Sequence, residues 1–248
     1  MIRRRAGASV RELAALSQVS TVMISRIETG KANPSTAVMS RLLEPLGYTY
    51  QAARAMQPGA IAAARKACDP GWAGGWPDGA DEWTERFARA GWLDGDGMAL
   101  PDKKTDLLFR AGLANRILDR PEARFYTDPR QRTWADQIIA LHRAGVDYAL
   151  TGGPAANQLM PMGGGQDLTV YTASIDRAAE ALGLEPAPTG WIALLPYNGV
   201  CEVGTTVLAD GFYANNIRMV AFEQILMDCV AMPKAGLDQA EFLTGRRI

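Results

Sequence analysis

The chain has 248 residues, 48% of them apolar and 21% charged, with a formal net charge of −1. At roughly 150 residues per domain that is one large domain or two small ones, and the ordinary composition excludes a collagen-like, low-complexity or disordered chain. Three widely spaced cysteines (Cys68, Cys201, Cys229) exclude a disulfide framework and a zinc finger, and the single His142 argues against a His-based metal site or a Ser-His triad. No apolar run reaches the ~18 residues of a membrane span, and the start, Met1-Ile-Arg-Arg-Arg, lacks the apolar stretch of a signal peptide. A cytoplasmic protein with no membrane partner is expected.

The charge is unevenly placed. Residues 1–66 carry ten Lys or Arg against three Glu, a net +7, and the remainder nets −8. A basic head on an acidic body suits a phosphate backbone. Within that head, Ser9-Val-Arg-Glu12 is a capping box, with Leu13, Ala14 and Leu16 as the apolar stripe of a first helix. Ser17-Gln-Val interrupts it. Ser20 then caps a second helix over 21–29, and Gly30 ends it in a left-handed turn. Ser35 opens a third helix to Leu46, shortened by Pro45 and stopped by Gly47.

This is helix-turn-helix spacing. Val19, Ile24 and Ile27 are expected between the helices, with Met23 joining that core. The other face of the second helix carries Thr21, Val22, Ser25, Arg26 and Thr29. Arg pairs bidentately with guanine, and Thr or Val methyls meet a thymine methyl. Thr21, Val22, Ser25 and Arg26 are therefore the expected base readers. Arg3, Arg4, Arg5, Arg11, Ser20, Lys31 and Arg41 are the expected phosphate holders.

The run Ser25-Arg26-Ile27-Glu28-Thr29-Gly30-Lys31, followed by Asn33-Pro34-Ser35 and Leu42-Leu43-Glu44-Pro45-Leu46-Gly47, resembles the XRE family of lambda-repressor-like DNA-binding domains. The resemblance covers about 40 residues. It differs at Gln18, where the family prefers Gly; that costs about 1 kcal/mol if the residue sits at positive φ. The family's first helix is also nearly missing ahead of Ser9, so its core side must be covered by another part of the chain or by a partner.

Residues 51–66 read as an Ala-rich helix, and Asp69-Pro-Gly-Trp-Ala-Gly-Gly-Trp-Pro-Asp-Gly as a loop, in which Trp72 and Trp76 are read as pins onto a core, with stacking platforms for a base as the alternative. A helix over 81–90 precedes a hairpin around Asp94-Gly-Asp96-Gly, a wing-like unit without a wing's usual cations. Helices over 103–118 and 130–144 follow, with His142 expected as a surface or half-buried residue of the latter. Then the period shifts. Strands are expected at 147–151, 167–172, 191–195, 206–208 and 218–220, with helices at 155–159, 174–182, 221–230 and 238–243. Strand, Gly-Gly, helix is a geometry that holds an anion, so Thr151, Gly152 and Gly153 form a possible ligand turn.

The predicted fold is α+β multidomain. It has an all-α helix-turn-helix domain (1–50), a helical, wing-like middle (51–102) and a mixed α/β domain (103–248). The last resembles a nucleotidyltransferase layer lacking its catalytic acids: Asp167 has Thr169, not a second acid, two residues on. No catalytic residue, metal or cofactor is expected. Leu107-Leu108, Tyr148-Ala-Leu-Thr-Gly-Gly with Ala155-Ala156, Leu168-Thr-Val-Tyr171, Leu194-Leu195-Pro196, Asp228 and Glu241 resemble the AbiEi family of type IV toxin–antitoxin antitoxins. That resemblance implies repression of its own operon at inverted repeats of double-stranded DNA, as a possible homodimer. It also implies a nucleotidyltransferase toxin, encoded nearby, that is countered without direct binding. A ligand- or partner-sensing transcription factor and a degenerate nucleotidyltransferase are the alternatives.

Overall fold

The computed structural model describes residues 3, 6–49, 56–161, 167–209, 216–232 and 234–245. The chain divides into two compact units, residues 1–54 and 55–248. The first is built from helices α1 (Val10–Ser17), α2 (Thr21–Glu28) and α3 (Thr36–Leu43), the last followed by a 3-10 turn over Glu44–Leu46. All three start on a serine cap. The hydroxyls of Ser9, Ser20 and Ser35 accept from the amides of Glu12 (3.1 Å), Met23 (3.2 Å) and Val38 (3.3 Å). Glu12 completes the capping box by accepting from the Ser9 amide. The core is Leu13, Val19, Ile24 and Leu42, with Val10, Ala14, Ile27, Val38 and Leu46 packed around it.

The expected placement of Met23 in that core is corrected: it is 41% exposed. At about 100° per residue, Met23 lies some 40° beyond Ile27, on the rim of the buried stripe. A core of three short helices is too narrow to cover it. Gln18 does adopt the left-handed conformation, φ 55° and ψ 30°. Arg3 is itself helical. Its guanidinium donates to both Glu28 carboxylate oxygens (2.7 and 3.0 Å) and to the Ala8 carbonyl (2.7 Å), tying residue 3 to the end of α2.

The second unit opens with α4 (Pro58–Cys68), α5 (Ala80–Arg89) and α6 (Lys104–Leu113). Residues 56–102, most of the segment expected as a helical, wing-like middle, fall within this unit. The α4 helix is Ala-rich and buried on nearly every side, packing against α5, α6 and the later helix α10 (Phe222–Ala231). The wing-like hairpin reduces to a single antiparallel bridge, Leu93 to Ala99, held against α4 by the Ala99 amide on the Ala67 carbonyl. Trp72 is buried and Trp76 exposed, its indole donating to Asp81 (2.9 Å). Gly112 is where α6 crosses α10: a Cβ there would sit 2.5 Å from the Met227 carbonyl oxygen.

A seven-stranded mixed sheet follows. Its strands are β1 (Arg124–Thr127), β2 (Tyr148–Leu150), β3 (Thr169–Thr172), β4 (Glu185–Pro186), β5 (Ile192–Pro196), β6 (Thr206–Ala209) and β7 (Asn216–Met219), in spatial order β4-β1-β5-β3-β2-β7-β6. The β3–β5 and β2–β7 pairs are parallel and the rest antiparallel. Helices α7 (Trp134–Arg143), α8 (Gly152–Leu159), α9 (Ile175–Leu182) and α11 (Lys234–Thr244) complete the unit with α10. The strands β2, β3 and β5 are buried almost throughout, as the near-continuous apolar runs require. Among the described residues, no helix is long and apolar enough to cross a membrane.

Two strands, β1 and β4, were not expected, and several expected helices are shorter: that over 51–66 starts at Pro58 and that expected to Leu46 ends at Leu43. The helix over 103–118 stops at Leu113. That over 130–144 starts at Trp134, behind a Thr133–Asp136 capping box. Arg4, Arg5, residues 50–55, the 163–165 loop and the turn at 210–211 lie outside the described residues.

Candidate nucleic-acid interface

Helix geometry sorts α2 into two faces. At about 100° per residue, Thr21, Val22, Ser25, Arg26 and Thr29 fall within an arc of about 140°, and Ile24 and Ile27 lie opposite. The burial agrees: Ile24 is buried and Ile27 half-buried, whereas all five residues of the arc are exposed. Val22 stands out at 67% exposure, a branched apolar side chain held in water at the start of a helix. From Thr21 to Thr29 the helix rises about 12 Å, comparable with the ~12 Å width of a major groove.

The N-terminus of α2 leaves polar groups facing outward. Ser20 satisfies the Met23 amide through its hydroxyl and the Ile24 amide through its carbonyl. That leaves the amides of Thr21 and Val22 without intrahelical acceptors. They and the Ser20 hydroxyl proton are available to a phosphate. At the other end, Thr29 turns its hydroxyl back to the Ser25 carbonyl (2.9 Å). Gly30 (φ 70°) then reverses the chain, and the Lys31 amide reaches the Arg26 carbonyl (2.7 Å).

Arg11, Arg26, Lys31 and Arg41 are exposed and make no ion pair among the described residues. Arg3 differs from its expected role, because its guanidinium is already committed to Glu28. Arg65 also leaves the basic head. It is buried in the second unit, donating to the carbonyls of Val203 (2.7 Å) and Cys201 (3.5 Å). The unit 1–54 nevertheless has eight Arg or Lys against three Glu, a net +5, whereas residues 55–248 net −6.

The possible ligand turn in the second unit is built differently from expectation. Thr151 is fully buried and donates its hydroxyl to Asp228 (2.7 Å), away from solvent. Asp228, on α10, also accepts from Arg120 (3.0 Å), the Tyr171 hydroxyl (3.0 Å) and the Gln224 amide (3.0 Å). Arg120 in turn donates to Tyr171 (2.6 Å) and to the Asn115 carbonyl (3.2 Å). Burial works against the charge of Arg120, but Tyr171 and Asp228 outweigh it and its pKa lies above the ordinary value. Burial likewise pushes the Tyr171 phenol well up, so it stays a neutral relay between the two charges. This network joins β2, β3, α10 and the segment before β1. Only Gly153 of the turn remains partly accessible. Sequence reasoning picked out Thr151 and Asp228 separately but not Arg120, whose partner lies 108 positions away. His142 is exposed, as expected.

A family model described as a helix-turn-helix domain matches residues 1–56. No curated protein and no solved structure matches the chain. The amino-terminal unit is therefore a helix-turn-helix domain, of the kind that binds DNA in transcription regulation.

Proposed function

We propose that this protein is a sequence-specific transcription regulator that represses its own operon, with α2 lying in the major groove. Thr21, Val22, Ser25 and Arg26 read base edges. Ser20, Arg11, Lys31, Arg41, Arg4 and Arg5 hold phosphates. The observation that carries this reading is the outward arc of α2, with Val22 at 67% exposure. An unpartnered arc of thin and basic side chains opposite a packed core is what groove entry requires. One such helix reads few base pairs, so the working form is a homodimer on an inverted repeat.

The AbiEi resemblance rests on the sequence runs of the α/β unit; beside it stands the order β2, then α8 opening on Gly152-Gly153, then β3, which is similar to a nucleotidyltransferase layer. In that layer Thr169 stands where a second acid would be needed two residues after Asp167. One carboxylate does not hold the metal pair of nucleotidyl transfer, so the unit acts without catalysis. The operon would then encode a nucleotidyltransferase toxin, countered without direct contact. Footprinting of the DNA preceding the gene tests this. Protection of two half-sites spaced by about 10–10.5 base pairs, or a multiple, is expected. No protected site at any native promoter would overturn it.

A further inference from the structure

The second unit carries an open cleft of about 320 Å³ between the end of β1, the start of α7 and the approaches to β3 and β5. Its rim includes Trp134, Trp191, Gln131, Asp128, Arg132 and Asp167. Two of the three charges cancel. Arg132 donates to Asp128 (2.8 Å) and to the Leu182 carbonyl, while Asp128 also accepts from Gln137 (3.0 Å) and the Arg130 amide (2.9 Å). Arg132 is thus spent on neighbours within the protein and offers little to an anion.

Asp167 is left. Among the described residues it has no hydrogen-bond or ion-pair partner, and its partial burial raises its carboxyl above the usual range. The wall is as unusual as the charge: Trp191 is 63% exposed and Trp134 half-buried. Exposed indole faces attract cations through the ring quadrupole, most effectively planar ones that also stack. A lone carboxylate beside indoles rejects anions and gives a neutral aromatic no charge to pair with.

We propose that this cleft binds a guanidinium group, stacked on Trp191 and Trp134 and hydrogen-bonded to the Asp167 carboxylate. The group comes either from a free alkylguanidine or from an arginine side chain of a polypeptide. Occupation of the cleft is independent of whether the amino-terminal unit binds DNA.

The test is a ligand-observed NMR titration of the full-length protein with butylguanidinium, blocked arginine (N-acetyl, N-methylamide) and neutral butylurea. Saturable binding of the guanidinium probes, with butylurea at least tenfold weaker, is expected. Tighter binding of the blocked arginine than of butylguanidinium assigns the source to a polypeptide, and the reverse to a small molecule. Asp167→Asn should weaken guanidinium binding at least tenfold and Trp191→Ala several-fold. Both side chains are solvent-facing, so far-UV circular dichroism should be unchanged; Trp191→Phe should retain most of the affinity. Absence of binding by either guanidinium probe, equal binding of butylurea, or undiminished binding by Asp167→Asn would overturn the proposal.

Discussion

Gln18 holds the turn of the helix-turn-helix in a conformation that L-residues avoid, with φ 55° and ψ 30°. The left-handed region costs an L-residue about 1–2 kcal/mol, which glycine escapes. Glycine gives back about 0.4–1 kcal/mol through its freer unfolded chain. Gln18→Gly should therefore stabilise the amino-terminal unit by about 0.5–1 kcal/mol net. Gly30 provides the mirror experiment. It has φ 70° and nothing within 4 Å of where a Cβ would sit, so Gly30→Ala introduces backbone strain without a clash. It should destabilise the unit by about 1 kcal/mol. The two units can be followed separately, because all six tryptophans lie between positions 72 and 191, outside residues 1–54. Thermal unfolding followed at once by helical circular dichroism and by tryptophan fluorescence separates them. The dichroism transition without a fluorescence counterpart should rise with Gln18→Gly and fall with Gly30→Ala, by roughly 4–8 °C per kcal/mol. The fluorescence transition should not move. A fall with Gln18→Gly would refute the reasoning, as would equal shifts in both signals.

Replacing Arg120 by Met leaves Asp228 as an uncompensated buried charge; the fluorescence-detected unfolding free energy should drop by about 3–5 kcal/mol, and a loss under 1 kcal/mol would contradict the network's geometry. Gly112→Ala should cost about 1–3 kcal/mol by the same measurement, since the α6–α10 crossing has no room for a methyl. Burial opposes the Asp128 charge, but Arg132, Gln137 and the Arg130 amide overcome it and hold the carboxyl at about 2. Because its folded pKa is depressed, Asp128 contributes stability that is complete above the unfolded value of about 4 and is lost as pH falls toward 2. Asp128→Asn should flatten that part of the acid unfolding curve, and an unchanged slope would count against the assignment. Lys31→Ala should weaken binding to all DNA sequences alike and lower the salt slope by about one; a sequence-dependent loss would move Lys31 from phosphate to base contact.

What could be read from the sequence was local. The serine caps at Ser9, Ser20 and Ser35, the left-handed stop at Gly30 and the opposed faces of α2 each depend on residues within one or two turns. The buried strands β2, β3 and β5 announced themselves as apolar runs. Non-local pairing was not legible. Arg65 looked like part of a basic head, yet its acceptors, the carbonyls of Cys201 and Val203, lie far along the chain. Arg120 sits beside Pro121 in what reads as a loop, and only the folded sheet brings it to Asp228 and Tyr171. The strand β1, Arg-Phe-Tyr-Thr, is four residues long with no alternation to mark it, and it exists because β4 and β5 flank it. Met23 was misplaced because spacing alone does not tell how wide a core is. The guanidinium cleft was likewise hidden, since Asp167, Trp134 and Trp191 converge from three separate elements.

The most direct test concerns Arg26, the basic residue of the exposed arc. Affinities of the wild-type and Arg26→Ala proteins should be measured at fixed salt on a selected binding site, on single-base variants of it and on random DNA. If α2 reads bases, Arg26→Ala loses about 1–3 kcal/mol of discrimination at one base pair and retains most of its affinity for random DNA. An equal loss on every sequence, or none on any, would contradict the account.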